Sequence, residues 1–486
     1  LGLGGSYAYN ASVNTNTVRE VASDYAGASN PDFLIATTIA DIIVSKEEDY
    51  TVARTSDGSI LAKGTDDASV INTALNDAKD YEIILIKGFF NLNSSIEIPS
   101  KRTVIVNGVL KQADNIHGNY VNIIRNKNHT SGDRDITLIF MSGYVDGNNA
   151  NQPLGYKERH AVWFKKIYNL KIYNLEVRNP YHWACRIDYC DEVIIENFRT
   201  SSSGHKRDGL HLVDTVNATI NGVRGTSGDD LFAITADYRD ISNIIATNII
   251  GSSTNANGIR ICQARRSIDA GEYRKLEHIN VEGIITNVAA NGVILAPTGL
   301  KTIMRDITIR CKIISPVYNG IRLGSNVPGT VWDGITLDVE IFNPRGHGIY
   351  WELNDVLKNS KIKGILYQPG DGRNNIYAGN AENLEIDVIA YYNTKGYSNP
   401  QHNINLRKGR AIIVKGIIDG GLRGVQLGSA TTSVNHVKIQ GAIIKNCKDW
   451  AIAEGPASDY NICLLYTSDA ADDGESVDLG GRRTIK

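Results

Sequence analysis

The chain has 486 residues and a formal net charge of −2. That balance excludes a nucleic-acid binder, whose affinity comes from clustered cation–phosphate contacts. Gly 46 against Pro 11 and Met 2, with abundant Asn and Ile, fits many short β segments joined by tight turns and disfavours a helical protein. No run of eighteen apolar residues occurs, so no membrane span is expected.

Residues 1–60 read as a leader of unassigned structure. The first residue is Leu1 and not Met, so a fragment or a processed product is expected, with Leu1 to Ala8 as the end of a signal peptide. Thr65 to Ala78 places apolar residues at helical spacing, and Ile83 to Gly88 follows as a buried strand. This is the pattern of a capping helix in front of a solenoid.

From there to residue 463 a short signature recurs, in which a small or polar residue and Gly precede two alternating apolar positions. Its instances are Asp208-Gly-Leu-His-Leu212, Asn257-Gly-Ile-Arg-Ile261, Asn291-Gly-Val-Ile-Leu295, Asn319-Gly-Ile-Arg-Leu323, His347-Gly-Ile-Tyr-Trp351 and Arg423-Gly-Val-Gln-Leu427, and Asp230 to Ile234 has the same shape without the glycine. Successive starts from Asp208 to His347 lie 22, 27, 34, 28 and 28 residues apart, as in a coil of constant core path with outer loops of variable length. Period-two stretches such as His278 to Ile284 and Leu384 to Val388 lie between them. One coil cannot bury its apolar face alone, whereas stacked coils, roughly 4.8 Å apart, bury each other's. The fold expected over residues 61–463 is therefore an all-β right-handed parallel β-helix with an N-terminal capping helix. The glycine is expected to supply either a positive φ or room for close backbone approach, and stacked Asn side chains to form hydrogen-bonded ladders.

Two adjacent coils carry the densest polar constellation, Ser203-Gly-His-Lys-Arg-Asp-Gly-Leu-His211 and Thr226-Ser-Gly-Asp-Asp-Leu231. Stacking at this spacing places Asp208, Asp229 and Asp230 on one face. Carboxylates that close cannot all ionise freely, so at least one pKa rises and a proton donor stands beside ionised bases, as glycoside hydrolysis requires. An inverting mechanism separates acid and base by roughly 6.5–9.5 Å to admit a water. His205 and His211 flank the cluster. Tyr181, Trp183, Tyr238 and Tyr273 offer flat faces for sugar rings.

On these motifs the sequence resembles, over about residues 140 to 300, the polygalacturonase family of glycoside hydrolases in the pectin-lyase superfamily. That family carries Asn-Thr-Asp, Asp-Asp, Gly-His-Gly and Arg-Ile-Lys motifs on neighbouring coils. Gly143 to Asn148 and Asn179 to Trp183 follow the family's order, Asp208 matches the first motif, Asp229 and Asp230 the second, and Arg260-Ile261 the start of the fourth. The resemblance implies catalysis by Asp208, Asp229 and Asp230, with Asp230 as general acid, the other two activating water, and Arg260 binding substrate. No cofactor and no metal are expected. The sequence departs from the family at Lys206-Arg207, where Asn-Thr is expected, at Cys262, where Lys is expected, and in lacking Gly-His-Gly between Asp230 and Arg260. His205, Arg207 and His211 join Arg260 as candidate substrate-binding residues. The segment from Gly64 to Ile105 is similar to the opening of pectate-lyase-like proteins and phage tailspikes.

The expected function is a glycosidase acting on an extracellular polysaccharide, with uronic acid as a candidate component. The protein is expected outside the cell or on a cell or virion surface, as a monomer, or as a trimer if tailspike-like. Two alternatives stand beside it, a polysaccharide lyase using Lys206 or His205, often with calcium, and a glycan-binding β-helix without turnover. Cys185, Cys190, Cys262, Cys311, Cys447 and Cys463 show no metal-ligand spacing and read as buried thiols. Residues 464–486 read as a non-native, adapter-like tail.

Overall fold

A computed structural model describes residues 39–264, 273–298, 301–324, 329–351, 355–456 and 462–464. The adapter-like tail beyond Leu464, most of the leader and the Cys463 side chain lie outside the described residues. The chain is a right-handed parallel β-helix with an N-terminal cap.

The cap begins inside the segment that the sequence assigns to the leader. Strands Ile42–Glu47, Tyr50–Thr55 and Ile60–Gly64 pair antiparallel in order. The first also joins the solenoid by parallel pairing, Ile42 opposite Ile84. Helix Asp67–Asp77 follows, its N-terminus capped by the Asp66 side chain, which accepts the Ser69 amide at 3.2 Å. Its buried stripe of Ala68, Val70, Ile71, Ala74 and Leu75 closes the end of the core. Asp67 is buried as well, bound by Thr51 and by Lys46 at 2.5 Å.

Each coil then contributes one short and one longer strand. Short strands stack parallel in the order Val162–Lys165, Cys185–Asp188, Leu210–Val213, Phe232–Thr235, Ile259–Cys262, Val293–Leu295 and Ile321–Leu323. Their first residues form one buried column through Val162, Cys185, Leu210, Phe232 and Ile259, and Phe164, Ile187, Leu212, Ile234 and Ile261 form a second. Burying each such side chain contributes about 1.5–3 kcal/mol relative to leaving it in water. The residue between them points outward, in register through Trp163, Arg186, His211, Ala233 and Arg260.

Of the two roles expected for the signature glycine, close approach is the one found. A Cβ on Gly258 would lie 2.2 Å from Ile285 Cγ2 and 2.7 Å from the Gly292 carbonyl oxygen. Asparagines supply the positive φ instead, as at Asn217 and Asn243, whose amides step from coil to coil (Asn243 Nδ2 to Asn217 Oδ1 at 2.9 Å, Asn217 Nδ2 to Asp191 Oδ1 at 2.8 Å).

Candidate active site

Asp208 and the Asp229–Asp230 pair sit at the turns leading into Leu210–Val213 and Phe232–Thr235, which are hydrogen-bonded neighbours. The coil stacking therefore brings the three carboxylates together, with one oxygen of each within 4.8 Å of the others. Asp208 and Asp230 are buried, and Asp229 is half-buried. The turn is fixed through its backbone. The Arg207 carbonyl accepts the Gly228 and Asp229 amides at 2.9 and 3.1 Å, the Lys206 amide donates to Asp229 Oδ2 at 3.0 Å, and the Ser227 hydroxyl donates to the Asp229 carbonyl at 2.6 Å.

Burial pushes the Asp208 carboxyl well above the ordinary carboxylate range, and the neighbouring charges of Asp230 and Asp229 push it further. Asp230 is raised for the same first reason, although Arg260 opposes the shift. Asp230 Oδ1 accepts both the backbone and the side-chain amide of Asn257, at 3.1 and 2.8 Å, and Oδ2 faces Arg260 Nη1 at 3.4 Å. A ladder of amides runs onto this carboxylate, since Asn319 donates to Asn291, and Asn291 to Asn257, each at 3.0 Å.

His211 binds Asp208 Oδ2 through Nδ1 at 2.6 Å and Thr235 Oγ1 through Nε2 at 2.7 Å. Burial holds the imidazole well below its usual pKa, with Arg260, Arg186 and His160 adding to the effect, so it is neutral. One of its nitrogens donates and the other accepts, which couples its tautomer to the protonation of Asp208. Trp183 stacks on the ring with centroids 4.0 Å apart and 19° between planes. Arg186 lies over both Trp163 and Trp183, at 4.7 and 4.9 Å from their centroids, and pairs with Glu158 at 2.5 Å and Asp188 at 3.1 Å.

Of the residues expected from the sequence, Asp208, Asp229, Asp230, His211 and Arg260 converge. Arg260 stands on the coil directly after the Asp-Asp turn, its strand paired with Phe232–Thr235. Arg207 turns its guanidinium away, toward Tyr181 O and Asn149 Oδ1 at 3.3 and 3.2 Å. His205 is exposed, with no partner among the described residues. Tyr181 is buried under the Arg159 guanidinium, whereas Tyr238 and Tyr273 are exposed, about half of each in solvent (54% and 49%). Thr235, Asn257 and Arg186 escape sequence reading, because their contacts run between coils. Only the register of the repeat could have pointed to them. The same three carboxylate oxygens are the one group among the described residues close enough to ligate a divalent cation.

Fold and site together set a cluster of three carboxylates on one face of a parallel β-helix. Residues 142–323 match the model of the family described as glycosyl hydrolases family 28. Among solved structures the chain is similar to the family 28 exopolygalacturonase of Yersinia enterocolitica (11% identity over 85% of this chain and 82% of that one, TM-score 0.41). It is likewise similar to the endo-xylogalacturonan hydrolase of Aspergillus tubingensis (15%, 73% and 92%, TM-score 0.44). A tailspike protein mutant of E. coli bacteriophage HK620, in complex with pentasaccharide, aligns at 12% identity over 80% of this chain and 74% of that one, with a TM-score of 0.51. At these identities the likeness is one of fold. No curated protein sequence matches the chain. No helix among the described residues is long and apolar enough to cross a membrane.

Proposed function

We propose that the protein hydrolyses an extracellular polysaccharide containing uronic acid, with inversion at the anomeric carbon, and that Asp208, Asp229 and Asp230 carry the chemistry. The observation that supports this most is the convergence of three carboxylates, two of them raised by burial, beside the Arg260 guanidinium. Asp208 and Asp230, both raised and close together, titrate as a pair and not as single residues. One protonated carboxyl, assigned to Asp230, protonates the leaving oxygen, while Asp208 and Asp229 converge on the attacking water. One carboxylate oxygen of each of the three, Asp230 included, lies within 4.8 Å of the others, closer than the roughly 6.5–9.5 Å between acid and base in an inverting enzyme, so the anomer of the product decides between inversion and retention.

A panel of acidic and neutral polysaccharides, assayed for new reducing ends with Asp230→Asn as control, tests the reading. The expected result is release by wild type and none by the variant, with inverted product anomers by proton NMR. Growth of ultraviolet absorbance from an unsaturated product would establish a lyase instead. Glycan binding by both wild type and an Asp229→Asn/Asp230→Asn double variant, without reducing ends from either, would establish a binder. EDTA is expected to leave the rate unchanged, and a loss restored by calcium would assign the carboxylates to a metal.

A further inference from the structure

Each short strand is entered through a residue two positions ahead of it, and stacking sets these residues in one column. After Asp230 the column runs through Asn257, Asn291, Asn319, His347 and Asn374, ahead of strands that pair in register. Along it the backbone N–H of each residue donates to the side chain one coil nearer the carboxylates. Asn257 donates to Asp230 Oδ1 at 3.1 Å, Asn291 to Asn257 Oδ1 at 3.1 Å and Asn319 to Asn291 Oδ1 at 3.3 Å. His347 continues the row onto Asn319 Oδ1 at 2.9 Å, and Asn374 onto His347 Nδ1 at 3.0 Å. The three asparagine side-chain amides repeat the direction, at 2.8, 3.0 and 3.0 Å.

The column is therefore a row of donors with one polarity, and it ends on a single carboxylate. An N–H bond to a carboxylate favours the ionised form. An amide whose own carbonyl accepts a hydrogen bond donates more strongly, so the links reinforce one another. The other groups that face Asp230 are few. Burial raises it, Asp229 beside it adds to the rise and Arg260 on the following coil opposes it, while Asp208 faces it from the preceding coil. His211 behind Asp208 is neutral, and burial pushes the Cys262 thiol up, so neither adds a charge.

We propose that Asn257, Asn291 and Asn319 are positioning residues that act in series on Asp230 and set the pH at which it gives up its proton. The inference rests on the reading of Asp230 as the general acid of a hydrolase. A carboxyl buried without such donors would hold its proton too tightly, and the row brings it toward the working pH, where acid catalysis is most efficient. Asn319 stands three coils from Asp230, roughly 14 Å at about 4.8 Å per coil, so its influence reaches the acid only through the amides between them.

The test follows the titration of the Asp208–Asp230 pair at the Asp230 carboxyl by carbon-13 NMR, in the full chain without substrate, with Asp230→Asn identifying the resonance. Asn257→Leu is expected to raise the midpoint by about one pH unit, and Asn257→Ala, which adds no bulk, to move it the same way. Asn291→Leu should raise it by about 0.3 of a unit and Asn319→Leu by less. In the Asn257→Leu background, Asn291→Leu should add nothing, because it acts through Asn257. Circular dichroism confirms the fold of each variant. An unmoved or lowered midpoint in the Asn257 variants, no shift in Asn291→Leu, or an Asn291→Leu shift of equal size with and without Asn257 overturns the series. On whichever polymer wild type cleaves, the alkaline limb of the pH–rate profile should move up with the midpoint, whereas asparagines that only pack the coils would lower the rate at every pH alike. Midpoints that move as expected, with no polymer cleaved, keep the donor row and sink the hydrolase. Cleavage with unmoved midpoints does the reverse.

Discussion

Asp208 and Asp230 occupy positions that a fold selected for stability alone would fill with neutral groups. A buried carboxyl with a raised pKa contributes stability only while it is protonated, so that contribution is fully present below its unfolded value near 3.9 and is lost as pH rises through the raised value. Asp208→Asn keeps the shape and removes the charge. It is expected to abolish turnover and, at pH 7.5, to melt at or above the wild-type temperature by scanning calorimetry, with the difference shrinking toward pH 4. A variant that melts lower at pH 7.5 would show that the ionised Asp208 is held by more than His211. Trp183 makes a second case at this scale. Its indole covers the His211–Asp208 pair, so Trp183→Ala should admit water and relieve the burial that raises Asp208. The acidic limb of the pH–rate profile, which reports the ionisation of a base, is expected to move to lower pH, whereas a purely structural role would lower the rate at every pH alike.

At the scale of the coil, the signature glycines are spacers. On Gly292 a Cβ would meet Ile313 Cγ2 at 2.3 Å and the Gly320 carbonyl oxygen at 2.7 Å, whereas Gly396 has nothing within 4 Å. Gly292→Ala should destabilise by about 1–3 kcal/mol through overpacking. A thermal melt of the variant against wild type checks this, and an unchanged melting temperature would show that the coil can widen. The same position explains what was legible. Where it holds Gly, the repeat could be read directly from the sequence, as were the coils at Asp208, Asn257 and Asn291. The coils at Ile376 and Ile404 went unread between His347 and Arg423, because Asn375 and Asn403 stand there. Their buried side chains bond to each other at 2.8 Å and to Tyr391 and Ala390 carbonyls. Asn can thus replace the spacer by supplying hydrogen bonds, a substitution that composition does not reveal. The carboxylate trio was legible because matched register suffices to stack it. Thr235 and Asn257 were not, since their roles depend on which atom of the next coil they face. The hairpin at residues 42–55 carried no repeat to betray its docking on Ile83–Leu92.

Across the whole molecule, buried histidines set how stability responds to acid. His160, among Glu158, Arg186 and His182, is depressed to about 4 first by burial, and His347, near Arg373, is likewise depressed to about 4 by burial. Each unfolded imidazole titrates near 6.5. A folded pKa below the unfolded one means that the unfolded state binds more protons between those values. The stability each neutral ring contributes is therefore fully present above about pH 6.5 and lost as pH falls toward 4, on the order of 3 kcal/mol per ring. Raised carboxyls such as Asp208 and Asp230 act in the opposite sense, so the wild-type melting temperature alone does not separate the two. The comparison with His347→Gln does, because it removes one ring and leaves the carboxyls untouched. Between pH 7.5 and 4.5 the wild type should lose more stability than the variant in urea titrations, with the gap opening below pH 6.5. Parallel curves over that range would mean that the His347 ring is not held neutral by the fold.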